Sequence, residues 1–330
     1  MSSDRRASDP PATDPPDGDP PRVVALAGGV GAARFLRGLV RAVDPRALTV
    51  VGNVADDLQV HGLHVSPDLD TITYTLGGGI DEDRGWGRAG DTTVVLDELA
   101  QRYGHEPWFR LGDRDLATHL HRTARLRSGA TLSTVTAELA ASWQVPGTLR
   151  PVTDDPLVTR IGVADGRELH FQEWWVGERA APEPVAVRFA GAQDALPAPG
   201  VLAAITSADV VVLCPSNPVV SLGPILAVPG VRAALRSAPV VGVSPIVGGR
   251  VLRGMADRLL PLWDCDVDAA AVAGLYADLL DAWVLDTADA DRAAAVADLG
   301  VTPVVAEAVM RDVPTAQALA DTVLAAVLTR

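Results

Sequence analysis

No lysine occurs anywhere in the 330 residues; all 28 basic side chains are arginine. With a formal charge of −14 there is no basic excess. That excludes nucleic acid as the main partner, because affinity for a polyphosphate backbone rests on clustered basic residues. A nucleotide would have to meet a local positive pocket instead. The all-arginine usage reads as compositional bias, although a planar guanidinium does suit bidentate phosphate binding. Cysteine is nearly absent too. Cys214 and Cys265 lie far apart with no C-x-x-C spacing, which excludes a disulfide framework and a cysteine zinc site and fits a reducing compartment. The N-terminus lacks the apolar stretch of a signal peptide, and no apolar run is long enough to cross a bilayer. The expectation is a cytoplasmic protein that neither enters nor spans a membrane. No Gly-x-Ser-x-Gly elbow occurs and neither cysteine sits in a nucleophile motif, so covalent catalysis has no support.

What is present is enough apolar sequence, 48% of the chain, for a sizeable core. Residues 1–21 are Pro, Asp and Ser with little to bury and read as a disordered tail. Beyond it, apolar runs at Val23 to Ala27, Leu48 to Gly52, Val210 to Cys214, Val240 to Val243 and Trp283 to Leu285 have the character of buried parallel strands. Stretches with helical spacing alternate with them: Ala32 to Val43, Thr93 to Tyr103, Leu222 to Arg236 and Asp268 to Asp281. Strand alternating with helix predicts an α/β fold, a Rossmann-like doubly wound and mostly parallel sheet, built from 22–106 and 196–330. The segment 107–195 breaks the rhythm. Its helical part (Asp113 to Trp143) and short strands around Arg167 to Val176 predict an inserted α+β subdomain.

Ligands of such sheets bind beyond the carboxyl ends of the strands. The residues there are Gly28-Gly29-Val30-Gly31-Ala32-Ala33-Arg34, Asn53-Val54-Ala55-Asp56-Asp57, Pro215-Ser216-Asn217-Pro218 and Ser244-Pro245-Ile246-Val247-Gly248-Gly249. The first reads as a phosphate site, since glycines let backbone approach a phosphate and the following helix offers free N–H groups. Arg34 adds a charge-assisted contact. A merely tight strand-to-helix turn is the plainer alternative. Arg34 stands where the third glycine of G-x-G-x-x-G would fall, and no G-K-S/T follows. Carboxylates crowd the stretch from Asp56 to Asp91, and oxygen-rich clusters of this kind suit Mg²⁺. Asp57, after a strand end, and Asp70, before an apolar helical start, are the best candidates, though Asp70 also reads as a helix cap. His119 and His121 face different sides of a helix and do not share a metal. Trp174 and Trp175 read more simply as a subdomain core than as a ligand platform.

Ala27 to Leu36, Ser66-Pro67-Asp68-Leu69-Asp70-Thr71, Leu111 to His119, His170-Phe171-Gln172-Glu173-Trp174-Trp175, Pro215-Ser216-Asn217-Pro218 and Val243-Ser244-Pro245-Ile246 together resemble the 2-phospho-L-lactate transferase family. The likeness spans nearly everything from Val23 onward. It implies an Mg²⁺-dependent, homodimeric enzyme of coenzyme F-420 biosynthesis. Such an enzyme moves a three-carbon phosphoacid from a guanosine-diphosphate conjugate to the terminal ribityl hydroxyl of the deazaflavin FO, releasing GMP. Tyr74-Thr75-Leu76-Gly77-Gly78-Gly79-Ile80-Asp81 brings to mind the actinobacterial branch, whose donor carries enolpyruvate and whose product is dehydro coenzyme F-420-0. The resemblance places Gly28, Gly29, Gly31 and Arg34 on the guanosine phosphates and Ser216, Asn217 and Pro218 on the nucleotide side. Asp57 would hold Mg²⁺, and Asp70 and Arg110 would contact FO, with Asp70 orienting or deprotonating the hydroxyl. Arg34 replaces the lysine of many relatives, so a fork stands where they have a point charge. A nucleotide-sugar-binding regulator of the same fold is a rival reading. An NAD-dependent oxidoreductase rests on the glycine turn alone.

Overall fold

Five apolar residues in a row, each buried, make Val23–Ala27 (β1) an interior strand, and the rest of the sheet assembles on both its sides. The computed structural model describes residues 19–328; all but the last three residues of the expected tail, 1–21, lie outside the described residues. Six further strands join β1: Leu48–Gly52 (β2), Thr148–Pro151 (β3), Val210–Leu213 (β4), Val240–Val243 (β5), Ala282–Asp286 (β6) and Thr302–Ala306 (β7). Their order is β7-β6-β5-β4-β1-β2-β3, and every neighbouring pair is parallel. The chain runs outward from β1 through β2 to β3, then returns to lay β4 on the other side of β1. The winding therefore reverses between β1 and β4, and the crevice of a doubly wound sheet opens at their carboxyl ends.

Helices cover the faces. Gly29–Ala42 (α1) follows β1 and approaches the helix Val313–Leu328 so closely that a Cβ on Gly38 would sit 2.2 Å from the Ala316 carbonyl carbon. Pro67–Leu76 (α2) begins with Pro at its first position, where the missing N–H costs nothing, and is buried from Asp68 to Thr75. Val94–Tyr103 (α3) buries only Leu96. Asp115–Arg127 (α4) and Leu132–Ser142 (α5) complete the helices that bear on the site. Among the described residues no helix is long and apolar enough to cross a membrane.

The parallel α/β architecture is as the sequence predicts, with differences at the edges. β3 lies inside the stretch 107–195, so that stretch contributes an edge strand to the main sheet as well as a separate antiparallel sheet, Glu168–His170, Val158–Val163 and Pro184–Ala190, with Val158–Val163 in the middle. Thr-Leu-Arg-Pro is too short and too polar to announce itself as a strand of a parallel sheet. The helix expected over Leu222 to Arg236 is broken into Gly223–Ala227 and Val231–Leu235, because Gly230 adopts φ +87°. Trp174 is fully buried and its Nε1 donates to the Pro182 carbonyl at 2.9 Å, a subdomain-core role.

Candidate active site

Gly28 ends β1 in an extended conformation, and α1 starts at Gly29 with φ +75°. Only Gly29 needs its glycine for backbone angle. The other two leave room for neighbouring chain. A Cβ on Gly28 would lie 2.7 Å from Asp68 Oδ2 and 2.8 Å from Ser221 Cβ, and one on Gly31 would lie 2.4 Å from the Pro215 carbonyl oxygen. The turn is glycine-rich because α2 and the loop after β4 close onto the start of α1. Two of its amides are already engaged: Gly29 N–H donates to Asp68 Oδ1 at 2.9 Å and Gly28 N–H to Ser216 Oγ at 3.3 Å. The phosphate-facing donors expected at Gly28 and Gly29 thus point into the protein, and the later amides of the first helical turn, at Val30 and Gly31, are the ones for which the helix itself supplies no acceptor. Arg34, one turn on, is exposed. Asn217 Oδ1 accepts from Val219 and Val220 N–H at 2.9 and 3.2 Å, shaping the buried turn Pro218–Leu222. Ser216 therefore touches the glycine turn, while Asn217 and Pro218 build the loop that carries Ser216.

The loop after β2 faces them. Asn53, fully buried, donates through Nδ2 to Asp68 Oδ2 at 2.9 Å and to the Val220 carbonyl at 3.2 Å, tying three loops together. Asp56 Oδ2 accepts from Gln172 Nε2 at 3.1 Å, and its Oδ1 is buried with no partner. Asp57 is built alike. Its Oδ2 accepts from Ser66 Oγ at 2.7 Å and from His64 Nε2 at 2.9 Å, and its Oδ1 is buried without a partner. His64 Nδ1 faces the Gln59 side-chain amide at 3.3 Å, an arrangement that suits a proton on Nε2 directed at Asp57. His170 approaches the Asp57 carbonyl through Nε2 at 3.1 Å while Nδ1 accepts from Gln172 N–H at 3.0 Å. Burial lowers its pKa, so it is a neutral donor at pH 7.

Burial raises the Asp56 pKa well above the carboxylate range, and the charge of Asp68 beside it adds to the rise. Burial likewise pushes Asp68 up to about 6 and raises Asp57, the latter against the opposing bonds from His64 and Ser66. These carboxylates are short of positive charge, and two buried oxygens lack a donor. Such a deficit is relieved by a cation. Among the described residues no three His, Cys, Asp or Glu side chains gather as a closed metal cage. The two partnerless oxygens, on Asp56 and Asp57, fit the needs of Mg²⁺, which takes one or two carboxylates and fills its shell with waters and substrate phosphates.

Asp70 is different in kind. Arg122, 1% exposed, grips both its oxygens, with Nη1 to Oδ2 at 3.1 Å and Nη2 against Oδ1, and Ser66 N–H reaches Oδ2 at 3.3 Å. Behind Arg122, His119 Nδ1 lies 3.3 Å from Nη1, His119 Nε2 lies 3.3 Å from Asp115 Oδ1, and Tyr74 OH donates to that same oxygen at 2.6 Å. Sequence reasoning couples Asp57 with Asp70. The structure links the two through Ser66, whose Oγ bonds Asp57 and whose N–H bonds Asp70, and in addition sets Asp57 beside Asp56 and Asp68 and gives Asp70 a guanidinium partner 52 residues away. Arg122 was legible only as the residue three after His119 on one helix face. His121, by contrast, is exposed and pairs with Glu138 at 3.3 Å.

Arg110 is exposed and lines a hollow with Arg84, Trp86, Arg88, Asp91 and Thr92. A second hollow is lined by Val30, Arg34, Thr75 and Gly85. The segment 80–91 contributes to both, so glycine turn and Arg110 flank one continuous strip. Arg88 stacks over Trp143 at 4.7 Å, and its Nε is buried without a partner.

A parallel sheet with its switch point at a glycine turn, unpaired arginine and buried carboxylates defines the class, a Rossmann-like α/β enzyme with a site for a charged ligand. The chain belongs to the family described as 2-phospho-L-lactate transferase CofD, which matches residues 23–324. Proteins named phosphoenolpyruvate transferase are similar to it throughout: one from Streptomyces avermitilis (strain ATCC 31267) is 53% identical over 287 residues, covering 85% of this chain and 90% of that one. One from Thermobifida fusca (strain YX) is 49% identical over 294 residues, covering 86% and 91%, and one from Mycobacterium tuberculosis (strain ATCC 25177) is 46% identical over 294, covering 81% and 88%. A crystal structure of a UPF0052 family protein, BH3568 from Bacillus halodurans, aligns with TM-score 0.61 at 18% identity over 92% of this chain and 98% of that one. It supports the fold. The resemblance read from the motifs is borne out.

Proposed function

We propose that the chain is the phosphoenolpyruvate transferase of coenzyme F-420 biosynthesis. It moves a phosphoenolpyruvyl group from enolpyruvoyl-2-diphospho-5'-guanosine to the terminal ribityl hydroxyl of FO, giving dehydro coenzyme F-420-0 and GMP. The observation that carries the reading is the switch-point crevice, where partnerless carboxylate oxygens of Asp56 and Asp57 stand beside Asp68, which bonds the glycine turn, in a chain about half identical to proteins of that name.

The obstacle to attack by an alcohol on a diphosphate is the charge already on it, so catalysis lies in orientation and electrostatics. Asp57, with Asp56 beside it, would hold Mg²⁺, which when bound neutralises diphosphate charge. Arg34 and the amides of the first turn of α1 face the guanosine phosphates. Asp70 has both its oxygens engaged by Arg122, which supports orientation of the ribityl hydroxyl rather than removal of its proton. Arg110, on the far hollow, lies where the deazaflavin end of FO would rest, while Ser216, Asn217 and Pro218 close the nucleotide side. We further propose a cytoplasmic homodimer.

FO fluorescence provides the test. Titrating the protein into FO with Mg²⁺ and GMP should change the emission and saturate at one FO per chain. Binding of a nucleotide sugar with no FO response would overturn the reading in favour of a regulator.

A further inference from the structure

Two guanidinium groups, of Arg34 and Arg253, stand near each other at the mouth of the crevice, and among the described residues no carboxylate is bonded to either. Arg34 projects from the first turns of α1 and makes no ion pair among the described residues. Arg253 comes from the opposite wall. Its only side-chain hydrogen bond among the described residues runs from Nη2 to the Arg84 carbonyl. It packs on Gly85, where an added Cβ would lie 2.8 Å from Arg253 Nη1 and equally 2.8 Å from Val30 Cγ1 of the glycine turn. Val30, Arg34 and Gly85 line the same hollow, so Arg253 sits at its rim. Neighbouring arginines are neutralised: Arg37 pairs with Glu82 at 2.6 Å and Arg84 with Asp81 at 2.8 Å. Desolvation and the charge of Arg34 both lower the pKa of Arg253. Glu82, the carboxylate that lines this hollow, is taken by Arg37; like charges held together with no carboxylate bonded to either repel, and a fold that keeps them so leaves the pair to be neutralised by a ligand.

The arm that delivers Arg253 is fixed in place. Ile246–Val247 and Arg250–Val251 form an antiparallel hairpin after β5. Its turn residues, Gly248 and Gly249, have φ +58° and +67°, values for which glycine carries no steric penalty. Both their amides donate to the buried carboxylate of Asp289, at 2.8 and 3.0 Å. A hairpin pinned in this way holds the following residues without paying ordering entropy when a ligand arrives.

We propose that Arg253 and Arg34 form a two-guanidinium clamp for a diphosphate, gripping its non-bridging oxygens from opposite walls of the crevice. The clamp deepens the proposed function and rests on it for the identity of the donor, but its chemistry requires only a diphosphate anion.

Calorimetric titration with inorganic pyrophosphate and, separately, GDP tests it, each with Mg²⁺, on the wild type, Arg253→Ala, Arg253→Lys, Arg34→Ala and the double alanine variant. Each single alanine variant should weaken pyrophosphate and GDP about tenfold or more, the scale of one lost charge-assisted contact. Arg253→Lys should recover part of the loss. Arg46→Ala, on a surface ion pair with Asp44, should bind as wild type does, and thermal melting should report an unchanged fold for all. Pyrophosphate binding unaffected by Arg253→Ala would overturn the clamp and leave the proposed function standing. Pyrophosphate binding that depends on Arg253, with no GDP binding by the wild type, would keep the clamp and overturn the guanosine donor. Wild-type protein that binds neither probe would overturn both.

Discussion

At the scale of single residues, the site turns on which carboxylates are neutralised and which are not. Asp70 has Arg122; Asp56 and Asp57 each keep an oxygen without a donor. Asp57→Asn removes charge without changing shape, so turnover should fall by more than about a hundredfold, as for loss of one strong transition-state interaction, while circular dichroism and melting show a folded protein. Near-normal activity at limiting Mg²⁺ would refute the metal role. A pH dependence follows from Asp68, whose folded pKa of about 6 lies above the ordinary 3.8. Because the folded state keeps this proton longer, the metal-free protein loses this contribution to stability as pH rises from about 4 to about 6 and remains lower at neutral pH. A bound cation offsets the penalty, so Mg²⁺ should raise the melting temperature more at pH 7.5 than at pH 5; an increment that does not vary with pH would contradict it. The residue-level signal in the sequence was partial. Asp57 stood out because it follows a strand end. Asp56 and Asp68 did not, because their importance comes from burial and from two loops meeting, neither of which one loop's sequence carries.

At the scale of elements, α2 and α4 work as a pair. α2 places Asp68 on the start of α1 and Asp70 into α4, and α4 answers with Arg122. Arg122→Met leaves Asp70 buried without its counter-charge, so chemical denaturation should show a loss of about 3–5 kcal/mol. Adding Asp70→Asn removes the stranded charge and should restore part of that loss; a double variant as unstable as the sum of the singles would mean the two residues are not coupled. Elements with strong patterns were legible. The spacing predicted α3 from Thr93, one residue from its observed start, and β1, β2 and β5 have the predicted bounds. β3 and β7 escaped because edge strands are half-exposed and each of these contains a proline, which weakens the apolar signal. The break at Gly230 escaped because the apolar spacing continues across it.

At the scale of the whole molecule, the parallel sheet follows from alternating apolar runs, and the crevice follows from where its winding reverses. The glycine turn was visible from the start, yet its glycines serve contacts with Asp68, Ser221 and Pro215 as much as any ligand. The surrounding loops and the family give that turn its meaning. The central claim is that this crevice joins an enolpyruvyl phosphate to FO, and the mass of the product tests it most directly. Offered FO, Mg²⁺ and equal amounts of the enolpyruvyl and lactyl guanosine diphosphates, the protein should release GMP and accumulate a product two mass units lighter than the lactyl adduct. Accumulation of the heavier lactyl product alone, or of neither, would contradict it.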